Sequence, residues 1–244
     1  MRHRLADRST DLIALAAVAL AANAAPSLAV PCRRFPATVT RLPGSPAAVA
    51  LTFDDGPHPR GTPAVLEALA RARAHATFYV VGEQVRRHRG LLAEITAAGH
   101  EVGLHGDRHR PHALMTPGAV ARDLERGQGE VEDELGSPVS VLRAPYGAAS
   151  VGTLAYARRH RLALVGWTRW GWDWRAAATA ASITSAACRS LAGSEIILLH
   201  DSDAYAARGS WQATADALPL ICARLEECGL ATVRLRDAIV TPRD

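Results

Sequence analysis

The sequence predicts an α/β fold in which parallel strands alternate with helices. Three observations carry this reading. Seven short apolar runs recur along the chain, most of them rich in Val, Ile, Leu or aromatic residues. Longer stretches of helical period lie between them. The polar residues able to do chemistry gather just after the runs, where barrels and open parallel sheets both collect their sites. On these grounds alone, barrel and open sheet both stand.

The chain begins with Arg2, His3, Arg4 and Arg8, then an apolar run from Leu12 to Ala22, then Ala22-Asn23-Ala24 and Pro26. That order resembles a signal peptide with an Ala-x-Ala site. Asp7 and Asp11 put acid into its basic part, and the run is too short to span a bilayer. Residues 1–30 are expected to direct export or peripheral membrane association, with a cytoplasmic helix as the alternative. Residues 31–47, rich in Pro and Arg, read as a linker, and 48–244 as the folded domain.

The first strand runs from Ala48 to Phe53. The others are expected over 76–81, 101–104, 140–143, 162–166, 195–199 and 231–235. Helices are expected over 63–73, 83–98, 117–135, 151–160, 178–191 and 212–228. Pro63 after Thr62 reads as an N1 proline behind an N-cap, and Gly99, Gly136 and Gly229 read as helix-ending residues.

Composition narrows the partners. The 244 residues suit one domain of barrel size or two small ones, and 48% are apolar, enough for a core. All 28 basic residues are Arg, scattered along the chain, and the net charge is only +4. No basic cluster interleaves with aromatics, so nucleic acid is not implied. Cys32, Cys188, Cys222 and Cys228 match no zinc or redox spacing. Cys222 and Cys228 fall in one amphipathic helix, where buried free thiols are the usual state.

The first strand runs into Asp54-Asp55-Gly56-Pro57. Adjacent carboxylates at a buried strand end are costly unless a cation neutralises them or one stays protonated. Asp-Gly and Gly-Pro are also turn dipeptides, so the pair alone does not separate a site from a turn. After the third strand come His105 and His109, at i and i+4, with His112 reading as a polar loop residue. With Asp55 they form a two-His, one-carboxylate set that leaves open positions for water and substrate. The same set suits iron(II) oxygenases. Arg143, ending the fourth strand, can pair with a carboxylate and hold it ionised. Trp167, Trp170, Trp172 and Trp174 crowd around Asp173 and read as a binding wall. His200, ending the sixth strand, is a candidate proton donor.

Together, Thr52-Phe53-Asp54-Asp55-Gly56-Pro57, His105-x-x-x-His109, Arg143-x-Pro145-Tyr146-Gly147, Asp173-Trp174 and Leu198-x-His200 resemble the ordered motifs of the polysaccharide deacetylases. These are the carbohydrate esterases of family 4, with the NodB homology domain. The likeness spans about Ala48 to Ile239. It implies a distorted seven-stranded β/α barrel over 48–244, one divalent metal ion and removal of acetyl groups from sugars. The metal is most often Zn2+, with Co2+, Mn2+ or Ni2+ as alternatives. It further implies Asp55, His105 and His109 as metal ligands, Asp54 as general base and Arg143 as its partner. The backbone N–H of Tyr146 would hold the oxyanion. His200 would be the acid, kept charged by Asp173, and Trp174 and Leu198 would line the acetyl pocket. The implied partner is a glycan of the cell envelope, of chitin or peptidoglycan type, reached through cell-wall or peripheral membrane association.

Three positions depart from the family pattern. Gly106 stands where Ser or Thr usually braces the metal loop. Trp170 replaces an Asp. Asp201-Ser202-Asp203-Ala204-Tyr205 replaces a Gly-rich turn. None removes a ligand, the base or the acid, so a competent enzyme with an unusual substrate is expected. The alternatives are the same machinery on acetyl-xylan, a formyl-sugar or a small cyclic amide, or a non-catalytic glycan binder. Intact Asp54 and His200 count against the binder. They also count against an oxygenase, which needs neither.

Overall fold

The computed structural model describes residues 16–17, 19–20, 38–45 and 47–239. The signal-like segment lies almost wholly outside them. Among the described residues, no helix is long and apolar enough to cross a membrane.

Among the described residues, nine strands form one sheet. They are β1 (Thr38–Val39), β2 (Ala48–Asp54), β3 (Ala76–Val80), β4 (Glu101–Leu104), β5 (Val141–Leu142), β6 (Ala163–Val165), β7 (Arg169–Trp170), β8 (Ile196–His200) and β9 (Ala231–Thr232). Their order is β1-β6-β5-β4-β3-β2-β8-β7, with β9 paired to β2, and all the ladders are parallel. All seven expected strands are present. The last is shortened, because Leu235 turns into a short helix, Leu235–Ala238.

The choice between barrel and open sheet is made by two strand switches. The segment 163–170 pairs with β5 and β1 through its first half and with β8 through its second, at Arg169↔Ile197 and Trp170↔Leu198. Arg41 bridges Glu195 antiparallel, and Leu42 N donates to Ser194 O at 2.9 Å. The sheet thus curls into the distorted barrel. Part of the stretch expected as linker, residues 38–42, belongs to it.

Alternation along each strand divides the core. Val49, Leu51, Phe53, Phe78, Val80, Ile197 and Leu199 pack outward against the helices. Phe53 and Phe78 stack at 5.0 Å. Truncating either ring to Ala would cost about 3–5 kcal/mol. Ala50, Tyr79, Val141 and Ile196 fill the interior, plugged at one end by Leu235 and Ile239. Period two then places Thr52, Asp54, Arg143, Leu198 and His200 on the inner face too.

Helices run over Gly61–Arg71, Gly82–Arg87, Leu91–Ala97, Pro117–Leu135, Val151–Arg159, Ala180–Ala187 and Ser210–Glu227. Pro117–Leu135 starts at the Thr116 cap and ends at Gly136, φ 66°. Gly99 and Gly229 likewise take positive φ. The stretch expected as one helix over 83–98 is two, since Gly90 at φ 90° breaks it. Thr62 is not an N-cap. The helix expected from Pro63 begins two residues earlier, at Gly61, and the Thr62 hydroxyl donates to Asp201 instead. Cys188, Cys222 and Cys228 are free, and Cys228 is exposed at its helix end rather than buried.

Candidate active site

Strand register assembles the site before any side chain is considered. In the ladders, Asp54 lies opposite both Tyr79 and His200, Val80 opposite Leu104, and Leu104 opposite Leu142. The residues just beyond those positions, Asp55, His105 and Arg143, therefore emerge side by side at the carboxyl end of the barrel.

Asp54 and Asp55 part at once. Asp54 stays on the strand and accepts from Arg143 Nη1 at 2.7 Å. Arg143 is fully buried, and also donates to Thr52 Oγ1 at 2.8 Å and Gly166 O at 2.9 Å. Its guanidinium lies 4.2 Å from the Tyr79 ring centre. Asp55 takes φ 77°, a left-handed conformation that costs a side chain roughly 1–2 kcal/mol. The turn carries its carboxylate towards the histidines. Gly56 must follow, because a Cβ there would come within 2.5 Å of both Asp201 carboxylate oxygens.

Around Asp55 Oδ1 stand His109 Nε2 at 3.1 Å and His105 Nε2 at 3.5 Å. His105 fixes its ring through Nδ1, 2.8 Å from Arg143 O. Burial pushes the Asp55 carboxyl up, but its contacts with both imidazoles hold it well below the usual carboxylate range. Against burial, Asp54 and Asp55 push His105 up. The fit to a divalent cation rests on Asp55 Oδ1, which is buried with no hydrogen bond of its own. One carboxylate and two imidazole nitrogens converge within 4.8 Å of one another, a borderline N/O donor set suited to zinc.

On the opposite wall, His200 Nε2 faces the same centre, 4.0 Å from Asp55 Oδ2. Buried Asp173 holds His200 twice: Oδ1 lies 3.0 Å from its Nδ1, and Oδ2 accepts its backbone N–H at 2.7 Å. Thr214 also donates to Asp173 Oδ2, at 2.9 Å. Burial opposes protonation of the ring, yet Asp173 first and then Asp55 and Asp54 push its pKa up to about 10.

Asp54, Asp55, His105, His109, Tyr146, Trp174, Leu198 and His200 line one cleft of about 250 Å3. Trp167, Gly147 and Tyr205 complete it. Tyr146 takes φ 58° and its ring is exposed. Trp170, Trp172 and Trp174 form a chain of ring contacts, at 5.3 and 5.0 Å, but only part of the tryptophan cluster reaches the cleft. Trp167 and Trp174 line the cleft, while Trp170 and Trp172 do not. Trp172 lies edge-on to Trp170 and under Arg175. His112 is not a loop-surface residue. It is fully buried beside Thr153 Oγ1, and burial, then His105 and His109, push it down to about 3.

Gly106, φ 84°, leaves room for Asp123, whose Oδ2 accepts from Asp107 N at 3.1 Å. A carboxylate from the neighbouring helix thus braces the loop that carries His105 and His109. Sequence reasoning missed Asp123 and Thr214, and gave Tyr205 no role beyond its place in the segment that replaces the Gly-rich turn. The first two sit mid-helix with no local signal. Tyr205 carried one, its place in the loop after a strand that ends in a candidate acid.

Residues 41–165 match the family profile described as polysaccharide deacetylase. A chitooligosaccharide deacetylase from Sinorhizobium fredii is 37% identical over 169 residues, covering 67% of this chain and 76% of that protein. The chain belongs to the polysaccharide deacetylase family. A family relative from Listeria monocytogenes, peptidoglycan-N-acetylglucosamine deacetylase PgdA, is 30% identical over 174 residues. There the match covers 69% of this chain but only 36% of the longer relative. Among solved structures, a peptidoglycan N-acetylglucosamine deacetylase superposes with a TM-score of 0.77 at 28% identity, covering 85% of this chain and 95% of that one. The barrel is thus that of the deacetylases, and the chain is a hydrolase acting on carbon–nitrogen bonds other than peptide bonds.

Proposed function

We propose that the protein removes acetyl groups from N-acetylated sugars of chitin or peptidoglycan type, with a divalent metal ion at Asp55, His105 and His109. The observation that carries this is the division of labour between two adjacent carboxylates. Asp54 faces a buried arginine at 2.7 Å, and Asp55 faces two imidazoles. A surface turn would bury neither.

When bound, the ion would supply Lewis-acid activation of the attacking water and of the acetyl carbonyl, with zinc the best match to the donor set. The remaining chemistry belongs to the chain. Arg143 holds Asp54 by a 2.7 Å contact and aims it into the cleft, so Asp54 takes the proton of the attacking water. The backbone N–H of Tyr146 holds the oxygen on which charge develops. His200, protonated at Nε2 and oriented through Nδ1 by Asp173, delivers a proton to the leaving amine. Trp174 and Leu198 exclude water from the methyl side. The glycan class rests on the chitooligosaccharide and peptidoglycan substrates in the names of the relatives. A place at the cell envelope, by export or membrane association, accords with such a polymer. Mass spectrometry of the mature N-terminus tests it: cleavage near Ala24 supports export by signal peptide.

Acetate release from acetylated chitooligosaccharides, peptidoglycan fragments and acetyl-xylan tests the reaction. Release from either of the first two is expected. Release from acetyl-xylan alone would move the activity to an ester, and release from none would overturn the proposal.

A further inference from the structure

The two histidines that face Asp55 are held in different ways. His105 has a hydrogen-bond partner on its far nitrogen, the Arg143 carbonyl at 2.8 Å. His109 has none: its Nδ1 is buried without a hydrogen bond. A metal-binding imidazole ordinarily donates its second N–H to an oxygen, which sets ring angle and tautomer. Something else must hold the His109 ring.

Two tyrosines lie against it. The Tyr146 ring centre is 4.2 Å away at 50°, and the Tyr205 ring is stacked at 4.3 Å and 19°. Tyr146 is exposed and sits in a strained turn. Tyr205 is half-buried and anchored. Its hydroxyl donates to Glu83 Oε1 at 2.5 Å and accepts from Gln84 Nε2 at 3.1 Å. Both anchors lie on the helix Gly82–Arg87, whose own backbone grips the metal loop. Gly82 N donates to Gly106 O, and Glu83 N to Asp107 O, each at 2.9 Å. Tyr205 therefore joins the loop after His200 to the element that carries His105 and His109.

We infer that Tyr205 is a positioning residue for His109, its anchored ring replacing the missing hydrogen bond and setting the affinity of the site for its ion. This rests on the metal reading above. The rest of the segment that replaces the usual Gly-rich turn follows from that role. The five residues from Asp201 to Tyr205 span the distance from the end of β8 to the His109 ring. Asp201, packed on Gly56 and bonded to Thr62, pins one end. The Tyr205 hydroxyl pins the other.

The test is Zn2+ affinity, measured on the metal-free full chain by competition with a chromophoric chelator. Thermal unfolding of the same apoproteins runs alongside. Tyr205→Ala is expected to weaken Zn2+ binding about tenfold, the low end of what loss of a partner behind a metal-bound histidine does. The apoprotein's Tm should hardly move. Tyr205→Phe keeps the ring but loses its anchors to Glu83 and Gln84, and is expected to fall between the wild type and Tyr205→Ala. If Tyr205→Ala destabilises the apoprotein, Tyr205→Leu fills the space without an aromatic face and should show the same loss. Wild-type Zn2+ affinity in Tyr205→Ala or Tyr205→Leu, with a change in KM alone, would make Tyr205 a substrate wall and overturn the inference. His109→Ala separates the two readings. If it binds Zn2+ like the wild type, the metal site itself is misassigned; if it loses Zn2+ while Tyr205→Ala does not, only the role of Tyr205 fails.

Discussion

Replacing Arg143 with Met tests what keeps two adjacent carboxylates from repelling each other out of the fold. Met fills the space of the side-chain stem and carries no donors. Asp54 Oδ1 and Gly166 O would lose their guanidinium partners, and the Tyr79 ring would lose the cation over its face. Breaking a buried pair by removing one member costs about 3–5 kcal/mol, because a desolvated charge is left behind. In a domain of this size that lowers Tm by roughly 6–20 °C. Adding Asp54→Asn removes the stranded charge, so the double variant should recover about 1–3 kcal/mol relative to additivity. Urea and thermal unfolding of metal-free protein at fixed pH and salt measure all four corners of the cycle without linked metal binding. A loss below about 1 kcal/mol in Arg143→Met, or strict additivity in the double variant, would refute the claim that Arg143 holds Asp54.

Three further outcomes follow from the same geometry. Asp54→Asn should bind metal like the wild type and lose most turnover, whereas His105→Ala should lose the metal itself; metal analysis beside acetate release separates the two. His200, with its pKa raised to about 10, stays protonated across the neutral range, and its acid form is lost as pH rises through that value. Asp173→Asn removes the largest stabiliser of the charged ring. The alkaline limb of the pH–rate profile should then move down towards 6.5, and an unmoved limb would remove His200 as the acid. Asp201 behaves the other way from most carboxyls. Burial, with Asp55 adding to it and Thr62 opposing, raises its pKa from 3.8 to about 7, so the folded state binds the proton more tightly than the unfolded chain. Its contribution to stability is full below 3.8 and is lost as pH rises to about 7. Asp201→Asn should flatten that slope and raise stability above pH 7, by at most about 4 kcal/mol; urea titrations at pH 5 and 8 check the sign.

Much of this was written in the chain. Strand alternation alone placed Asp54 and Thr52 on one face of β2. Chemistry-bearing residues just past apolar runs located the mouth of the barrel. Closure was not legible, because it depends on 163–170 exchanging one partner strand for another, and no local residue marks that exchange. The helix expected over 83–98 breaks at Gly90, since the chain needs φ 90° there to turn between two short helices. His112 read as a loop residue because it follows a strand end and Pro111, yet the helix that carries Thr153 covers it. Tyr205 and Asp123 act across the fold on His109 and on the Gly106 turn. Contacts that join residues nearly 100 positions apart, as His109 and Tyr205 do, leave no periodic trace.

The most direct measurement is acetate release from N-acetylated chitooligosaccharide by chelator-treated protein, titrated with Zn2+. Activity should be absent in the stripped protein and return in full at one ion per chain, with no return in His105→Ala. Full acetate release by the stripped protein, or by His105→Ala without metal, would contradict the assignment of Asp55, His105 and His109.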